Sequence, residues 1–287
     1  MTRVLSVSSA GGSLELGAQS GVRAGLKVRG MGMPGVSLQW FEGAGDGRSF
    51  RGGRTLSRVL DMPVKITGAN RQEVLQRYSQ FARIFVLDNA PVTLEVELDG
   101  EGWRAEVVRT GGGDYTMGDD TDGSTWLRTV LTIESGDPFW TRVNSEARVI
   151  TPGGLGIPLL GPGQSLAQLR MSNTEGSGAV EFTNSGDVEA WPTWRVLPPF
   201  QAFEFQRDGL TLEWSQAAVK TTGYIDVDSM AGTITDEAGV NRYDGLAAAP
   251  KFFSIPPGTS AASVILTAAT GDTRVNVAWH PRKVVLF

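Results

Sequence analysis

Along most of this chain apolar and polar side chains alternate with a period of two, as they do in strands that bury one face. Val92, Leu94, Val96 and Leu98 alternate with Thr93, Glu95 and Glu97. Asp99-Gly100-Glu101-Gly102 separates this run from Trp103 to Arg109, which predicts an antiparallel hairpin across a short turn. Trp126 to Ile133 continues the pattern, and Gly21 to Gly30 and Val36 to Phe41 read as strands upstream. One segment departs from it. From Arg71 to Leu87 the residues Val74, Tyr78, Phe81 and Phe85 recur at spacings of four, three and four, which predicts a helix with one apolar face. Asn70 is a suitable N-cap worth about 1 kcal/mol, Glu73 can complete a capping box, and Asn89-Ala90-Pro91 ends the helix.

Beyond Trp140 no helix is expected. Strand-like segments recur near 146–150, 179–183, 193–197, 210–214, 222–227, 232–235, 262–267 and 273–279, a spacing that suits a β-sandwich. Within Val180 to Pro192, VEFTNSGDVEAWP, the residues Asn184, Ser185, Gly186 and Asp187 predict a turn between two strands that carry bulky side chains. The Pro/Gly-rich stretch 152–163 is expected to be an exposed connector. The final segment, HPRKVVLF, is too apolar to hang free and is expected to add a strand, able to return to the first domain. The expected organisation is thus mainly β. A β domain with one α-helix spans residues 1–140, and a β-sandwich spans 141–287.

Composition agrees with this division. The 287 residues suffice for two ordinary domains, and 40% hydrophobic with 20% charged residues is the balance of a folding globular chain. Thirty-seven glycines, spread along the chain, suit many turns between short strands. Cysteine is absent, which excludes disulfides, thiolate chemistry and cysteine-held zinc. The single histidine, His280, sits between Trp279 and Pro281 and reads as a strand end. A net charge of -5 and a pI near 5.1 argue against a broad basic face for gripping nucleic acid. No secretory signal and no long apolar run of the kind that spans a membrane is read in the sequence, so the expected site of synthesis is a cytoplasm.

Several constellations invite chemistry. Asp114, Asp119, Asp120 and Asp122 cluster in GGGDYTMGDDTDGS, but an EF-hand calcium loop needs acids where Gly118 and Thr129 stand, and a solvated hairpin tip is expected instead. Asp226, Asp228, Asp236 and Glu237 would be the carboxylates of a glycoside hydrolase, yet alternation with Ile225 and Val227 points both aspartates to solvent. Arg48, Arg51, Arg54 and Arg58 recur in GDGRSFRGGRTLSR. The bland expectation there is an exposed loop leading into a strand; the sharper one is an arm, within Gly30 to Arg58, reaching an adjacent subunit. Eight tryptophans are expected mainly in cores and interfaces, with sugar stacking as the competing use. Hydrolase elbows of the type G-x-S-x-G and phosphate loops are missing.

Four motifs occur in order: DPFW at 137–140, NSGDVEAWP at 184–192, GVNRYDG at 239–245 and FFSIPPG at 252–258. With DGRSFRGGR and the helix segment ANRQEVLQRYSQFARIF ahead of them, they make the chain resemble the distal tail proteins (Dit), or minor tail proteins, of long-tailed bacteriophages. The resemblance implies a tail-tube-like first domain and a galectin-like or carbohydrate-module-like sandwich. It implies a homo-hexameric ring at the distal end of the virion's tail, made in the host bacterial cytoplasm, with no cofactor, no metal and no reaction catalysed. The implied partners are the tail tube protein, the tail hub or tail-associated protein, the tape measure, and receptor-binding or baseplate proteins. DNA would pass only in transit, through a lumen expected to be acidic, and no membrane is involved. Arg48, Arg51, Arg54 and Arg58 are the subunit-interface candidates. The alternative is a tail-tip protein binding a cell-wall glycan, and a tail-associated hydrolase is the third class. The segment 142–179 is longer than a minimal adaptor needs.

Overall fold

The computed structural model describes residues 3–25, 27–151 and 175–286. The connector 152–163, and most of the segment 142–179, therefore lies outside the described residues. The chain is mainly β with one α-helix and divides into two compact units, one running to Asn144 and resuming at Arg282, the other spanning Ser145–Pro281.

Unit 1 carries β1 (Arg3–Ser9), β2 (Gly12–Glu15), β3 (Val22–Ala24), β4 (Val36–Glu42), β5 (Arg48–Thr55), β6 (Arg58–Thr67), α1 (Arg71–Ile84), β7 (Val92–Leu98), β8 (Glu101–Gly112), β9 (Trp126–Ser135) and β10 (Trp140–Arg142). Seven of these strands follow the order β2-β1-β7-β8-β9-β6-β3 in one antiparallel nine-stranded sheet, with β10 paired to β8 off this path. The Ala24 N–H donates to the Leu16 carbonyl at 3.4 Å, joining the two edges of that sheet, so it is a nearly closed barrel. Along β6 and β7 every second residue is buried, and these side chains with the apolar face of α1 make the core.

The helix begins where its cap predicts: Asn70 Oδ1 accepts the Glu73 N–H at 3.0 Å, and the Glu73 carboxylate accepts the Ala69 N–H at 2.7 Å. It ends three residues earlier than expected, at Ile84. There the Asn89 side chain donates to the Arg83 carbonyl at 2.8 Å, satisfying a helix-end acceptor while the chain tightens into a 3-10 turn at Leu87–Asn89. The hairpin turn is also shorter than expected. Leu98 pairs with Glu101, leaving only Asp99 and Gly100, both with positive φ (50° and 87°), as a two-residue turn of this hand requires. Of the expected strand from Gly21 to Gly30 only β3 is regular. Beyond it the chain follows β6 through isolated contacts, a bond from the Gly25 N–H to Pro63 O and a bridge in which Arg29 and Asp61 exchange both backbone bonds.

Unit 2 is a sandwich of β11 (Glu146–Ile150), β12 (Glu175–Asn184), β13 (Thr193–Leu197), β14 (Phe200–Arg207), β15 (Leu210–Lys220), β16 (Ile225–Asp228), β17 (Thr233–Asp236), β18 (Gly258–Thr267) and β19 (Arg274–Trp279). One sheet runs β11-β19-β13-β16-β17 and the other β12-β18-β14-β15. Aromatic rings from both fill the space between: Trp194 of β13 stacks on Phe205 of β14 at 4.2 Å and meets Phe182 of β12 edge-on at 5.9 Å. β14 has no counterpart among the expected strands, because a bulge between Phe200 and Ala202 breaks the alternation of its phenylalanines. The last strand, β20 (Arg282–Lys283), belongs to unit 1, where it pairs with β10.

Candidate interaction surface

β4 and β5 pair only with each other, as a two-stranded sheet separate from the barrel. Every residue of β4 is exposed, and so are all but one of β5. The hairpin is therefore an arm with two uncovered faces. On β4, alternation puts Val36, Leu38 and Trp40 on one face, and Phe50, opposite Trp40, joins them. Trp40 and Phe50 meet edge-to-face at 5.5 Å. Val36 (59%), Leu38 (47%), Trp40 (50%) and Phe50 (58%) thus form an exposed apolar face. Two strands alone in water are marginally stable, so the face needs a cover.

The other face is basic. Arg51 is the extra residue of a bulge, between the Trp40–Phe50 and Gln39–Gly52 pairs, and its guanidinium lies 4.9 Å from the Phe41 ring. Arg54 stands opposite Ser37 on this face, whereas Arg48, opposite Glu42 and two residues from Phe50, lies on the Trp40 face near the tip, where it pairs with Glu42 at 3.0 Å. The run expected as a loop is thus a strand, and its glycines serve the pairing: a Cβ on Gly53 would sit 2.9 Å from the Leu38 side chain that covers it.

Arg58 is placed differently. It is buried at the start of β6, where its guanidinium donates to four carbonyls: Pro138 at 2.8 Å, Gly30 at 2.7 Å, Gly32 at 2.6 Å and Val284 at 2.7 Å. The Trp140 ring lies 5.4 Å away. Burial pulls the Arg58 pKa below the ordinary guanidinium range, and Asp137 offsets part of this. Gly30 and Gly32 precede the arm and Arg58 follows it, so this side chain fixes the arm's root. Around it the DPFW motif closes the unit. Asp137 accepts Arg282 Nη2 with both carboxylate oxygens at 2.6 Å and the Phe139 N–H at 3.1 Å, while the Arg282 guanidinium lies over the Phe139 ring.

The motifs of unit 2 have structural uses. Asn184 donates to the Val188 and Ile255 carbonyls and accepts the Gly186 N–H, and Ala190 exchanges both backbone bonds with Ile255, which joins NSGDVEAWP to FFSIPPG. In GVNRYDG the Arg242 carbonyl accepts the Trp214 indole N–H at 2.8 Å.

The carboxylates weighed for chemistry are likewise occupied. Asp226 makes a bidentate pair with Arg195 at 2.7 and 2.8 Å. Asp228 caps the Met230 and Ala231 amides, Asp236 binds Arg242 and the Ala238 and Val240 amides, and Glu237 pairs with Lys220. Asp122 accepts from the Thr125 hydroxyl and from the Ser124, Thr125 and Trp126 amides, and these bonds hold it well below the usual carboxylate range. Among the described residues no three His, Asp or Glu are grouped to hold a metal ion, and no helix is long and apolar enough to cross a membrane.

No protein-family model and no curated protein matches the chain. Solved structures do. The Dit protein of phage SPP1, described as a paradigm of the hub adsorption apparatus in phages infecting Gram-positive bacteria, aligns over 97% of this chain and 99% of its own, with a TM-score of 0.67 and 13% identity. Chains of the phage P2 baseplate in its activated conformation, with calcium and with strontium, align over 100% of both partners at a TM-score of 0.56 and identities of 12% and 11%. At such identities the likeness shows a shared fold, spanning both units.

Proposed function

We propose that this chain is a structural protein of a phage virion, a distal tail adaptor that joins the tail tube to the baseplate and catalyses no reaction. Six copies form a ring with a channel for DNA. The tail tube protein and tape measure contact one side, and hub and receptor-binding or baseplate proteins contact the other. The observation that carries this reading is the likeness of fold over the full length of both chains, including the order of the two units. The arm adds physical support. A ring of identical subunits needs a heterologous contact, one surface meeting a different one, and an arm with an apolar face left uncovered among the described residues is one half of such a contact.

A carbohydrate-binding role gains little from the described residues. Five of the eight tryptophans (Trp103, Trp140, Trp194, Trp214 and Trp279) are buried in the two cores. The Tyr224 ring, on the outer face of unit 2, is covered by Arg195 at 4.0 Å.

Light scattering of the purified protein, with negative-stain images, tests the proposal. Rings of six are expected. A strict monomer at high concentration would overturn self-assembly, and a glycan array would then be the next experiment.

A further inference from the structure

Unit 1 is completed by residues 282–286, which return to it after unit 2. Two of them, in β20, join the sheet, Arg282 opposite Thr141 and Lys283 opposite Trp140. Side chains supply much of the remaining hold. Arg282 Nη2 bonds the Asp137 carboxylate, the Lys283 ammonium lies 4.8 Å from the Trp103 ring, and Leu286, partly buried, packs against the core. Such a segment is a strap, and with so short a ladder it belongs to the parts of a fold that open before the rest.

The strap reaches the arm through Arg58. The Val284 carbonyl accepts from Arg58 Nη2, while Nη1 of the same guanidinium donates to the Gly30 and Gly32 carbonyls that lead towards β4. A guanidinium is a rigid plane with fixed donor directions, so losing an acceptor on one side re-aims the donors on the other. Asp137 strengthens the coupling. Its charge acts on Arg58, and its ion-pair partner is Arg282 of the strap, so when the strap leaves, Asp137 draws Arg58 away from the glycine carbonyls. Beyond this root β4 and β5 pair only with each other, and among the described residues no further ladder fixes the arm's direction.

We propose that residues 282–286 are a conformational switch for the arm. With the strap seated, Arg58 holds Gly30 and Gly32 and the arm keeps one direction; with the strap released, the root loosens while the barrel stays folded. The consequence for assembly rests on the ring reading: only the strapped chain presents Trp40 and Phe50 where a neighbouring copy meets them.

The absence of cysteine lets the strap be opened and shut in the full chain. Thr141→Cys with Arg282→Cys puts thiols at directly opposite positions of an antiparallel pair, within the Cα separation that a disulfide spans. Oxidation ties the strap down, and reduction leaves it with neither the tie nor the ion pair to Asp137. Hydrogen exchange reads the arm at its base, where the Leu56 N–H bonds the Gly35 carbonyl. Exchange at Leu56 and along β4 should be about tenfold faster or more in the reduced variant, with β7 and unit 2 unchanged. Equal exchange in the two states, or acceleration spread equally over β7, would overturn the switch. Sedimentation velocity should show rings for the oxidised form and not for the reduced one. Rings in both states would overturn the gating of assembly and leave the ring reading standing. A wild-type monomer whose arm still answers to the strap would overturn the ring reading and leave the switch standing.

Discussion

Arg58 donates through Nη2 to the Val284 carbonyl at 2.7 Å, across 226 positions of sequence, and through Nη1 to Gly30 and Gly32. One side chain therefore holds the entry to the arm and the end of the chain together. Arg58→Met would leave four partly buried carbonyls without their donor and should destabilise unit 1 by about 3 kcal/mol, since hydrogen bonds to a charged group contribute about 1.5–3 kcal/mol each and solvent replaces some of them. Arg58→Lys should fall between, because an ammonium has the charge without the planar fork. Urea unfolding followed by tryptophan fluorescence reads both. A loss under about 1 kcal/mol for Arg58→Met would show that the carbonyls find other donors.

Replacing both Trp40 and Phe50 with serine should separate assembly from folding. Both residues are exposed and outside the core, so the unfolding midpoint should stay within about 0.5 kcal/mol of wild type. Association should fall by two orders of magnitude or more, since interface aromatics each contribute about 2 kcal/mol or more. Sedimentation velocity distinguishes the two effects. Rings of unchanged stability would show that the apolar face has no role in assembly.

Much of this architecture was legible because its signals are local. Asn70 and Glu73 mark the helix start within four residues, and Val92 to Leu98 alternates without a break. The arm was half legible. Val36 to Phe41 alternates like a strand, but alternation ordinarily implies one buried face, and Gly52 and Gly53 disguise the partner strand as a loop. Arg58 follows Arg54 by four positions and reads like the arm arginines, yet its acceptors come from Gly30, Gly32, Pro138 and Val284, which no window of sequence brings together. The DPFW motif could have pointed there: an acid before Pro-Phe-Trp, in a chain that carries His-Pro-Arg-Lys at 280–283, is half of the Asp137–Arg282 pair.

Unit 2 should lose stability in acid. Burial alone would raise the Asp236 pKa, but bonds from the Val240 amide, the Arg242 guanidinium and the Ala238 amide outweigh it and hold the group below its usual value. Glu237 is lowered too, chiefly by a backbone bond and by Lys220. A carboxylate with a depressed folded-state pKa contributes stability that is present above the unfolded value, about 4, and is lost as pH falls through the folded one. Thermal unfolding between pH 7 and pH 2 should therefore show a falling midpoint below about pH 4. Asp236→Asn should lower the midpoint at pH 7 and flatten that fall. An unchanged slope in the variant would mean other carboxylates dominate.

Phe81→Asp tests whether α1 is part of the barrel's core. Phe81 is buried, with its ring 5.1 Å from that of Phe85. The substitution removes a large apolar side chain, worth about 3–5 kcal/mol by itself, and adds a carboxylate with no partner. Unit 1 should unfold. Unit 2 has its own core, so Trp194, Trp214 and Trp279 should keep their native indole NMR shifts while those of Trp103 and Trp140 collapse. The conservative control is Tyr78→Phe, which removes only a hydroxyl that donates to the Gly113 carbonyl and should cost about 1 kcal/mol. Loss of dispersion in all five indoles would show that the two cores fold as one cooperative unit. Retention of all five would show that the apolar face of α1 is not packed as described.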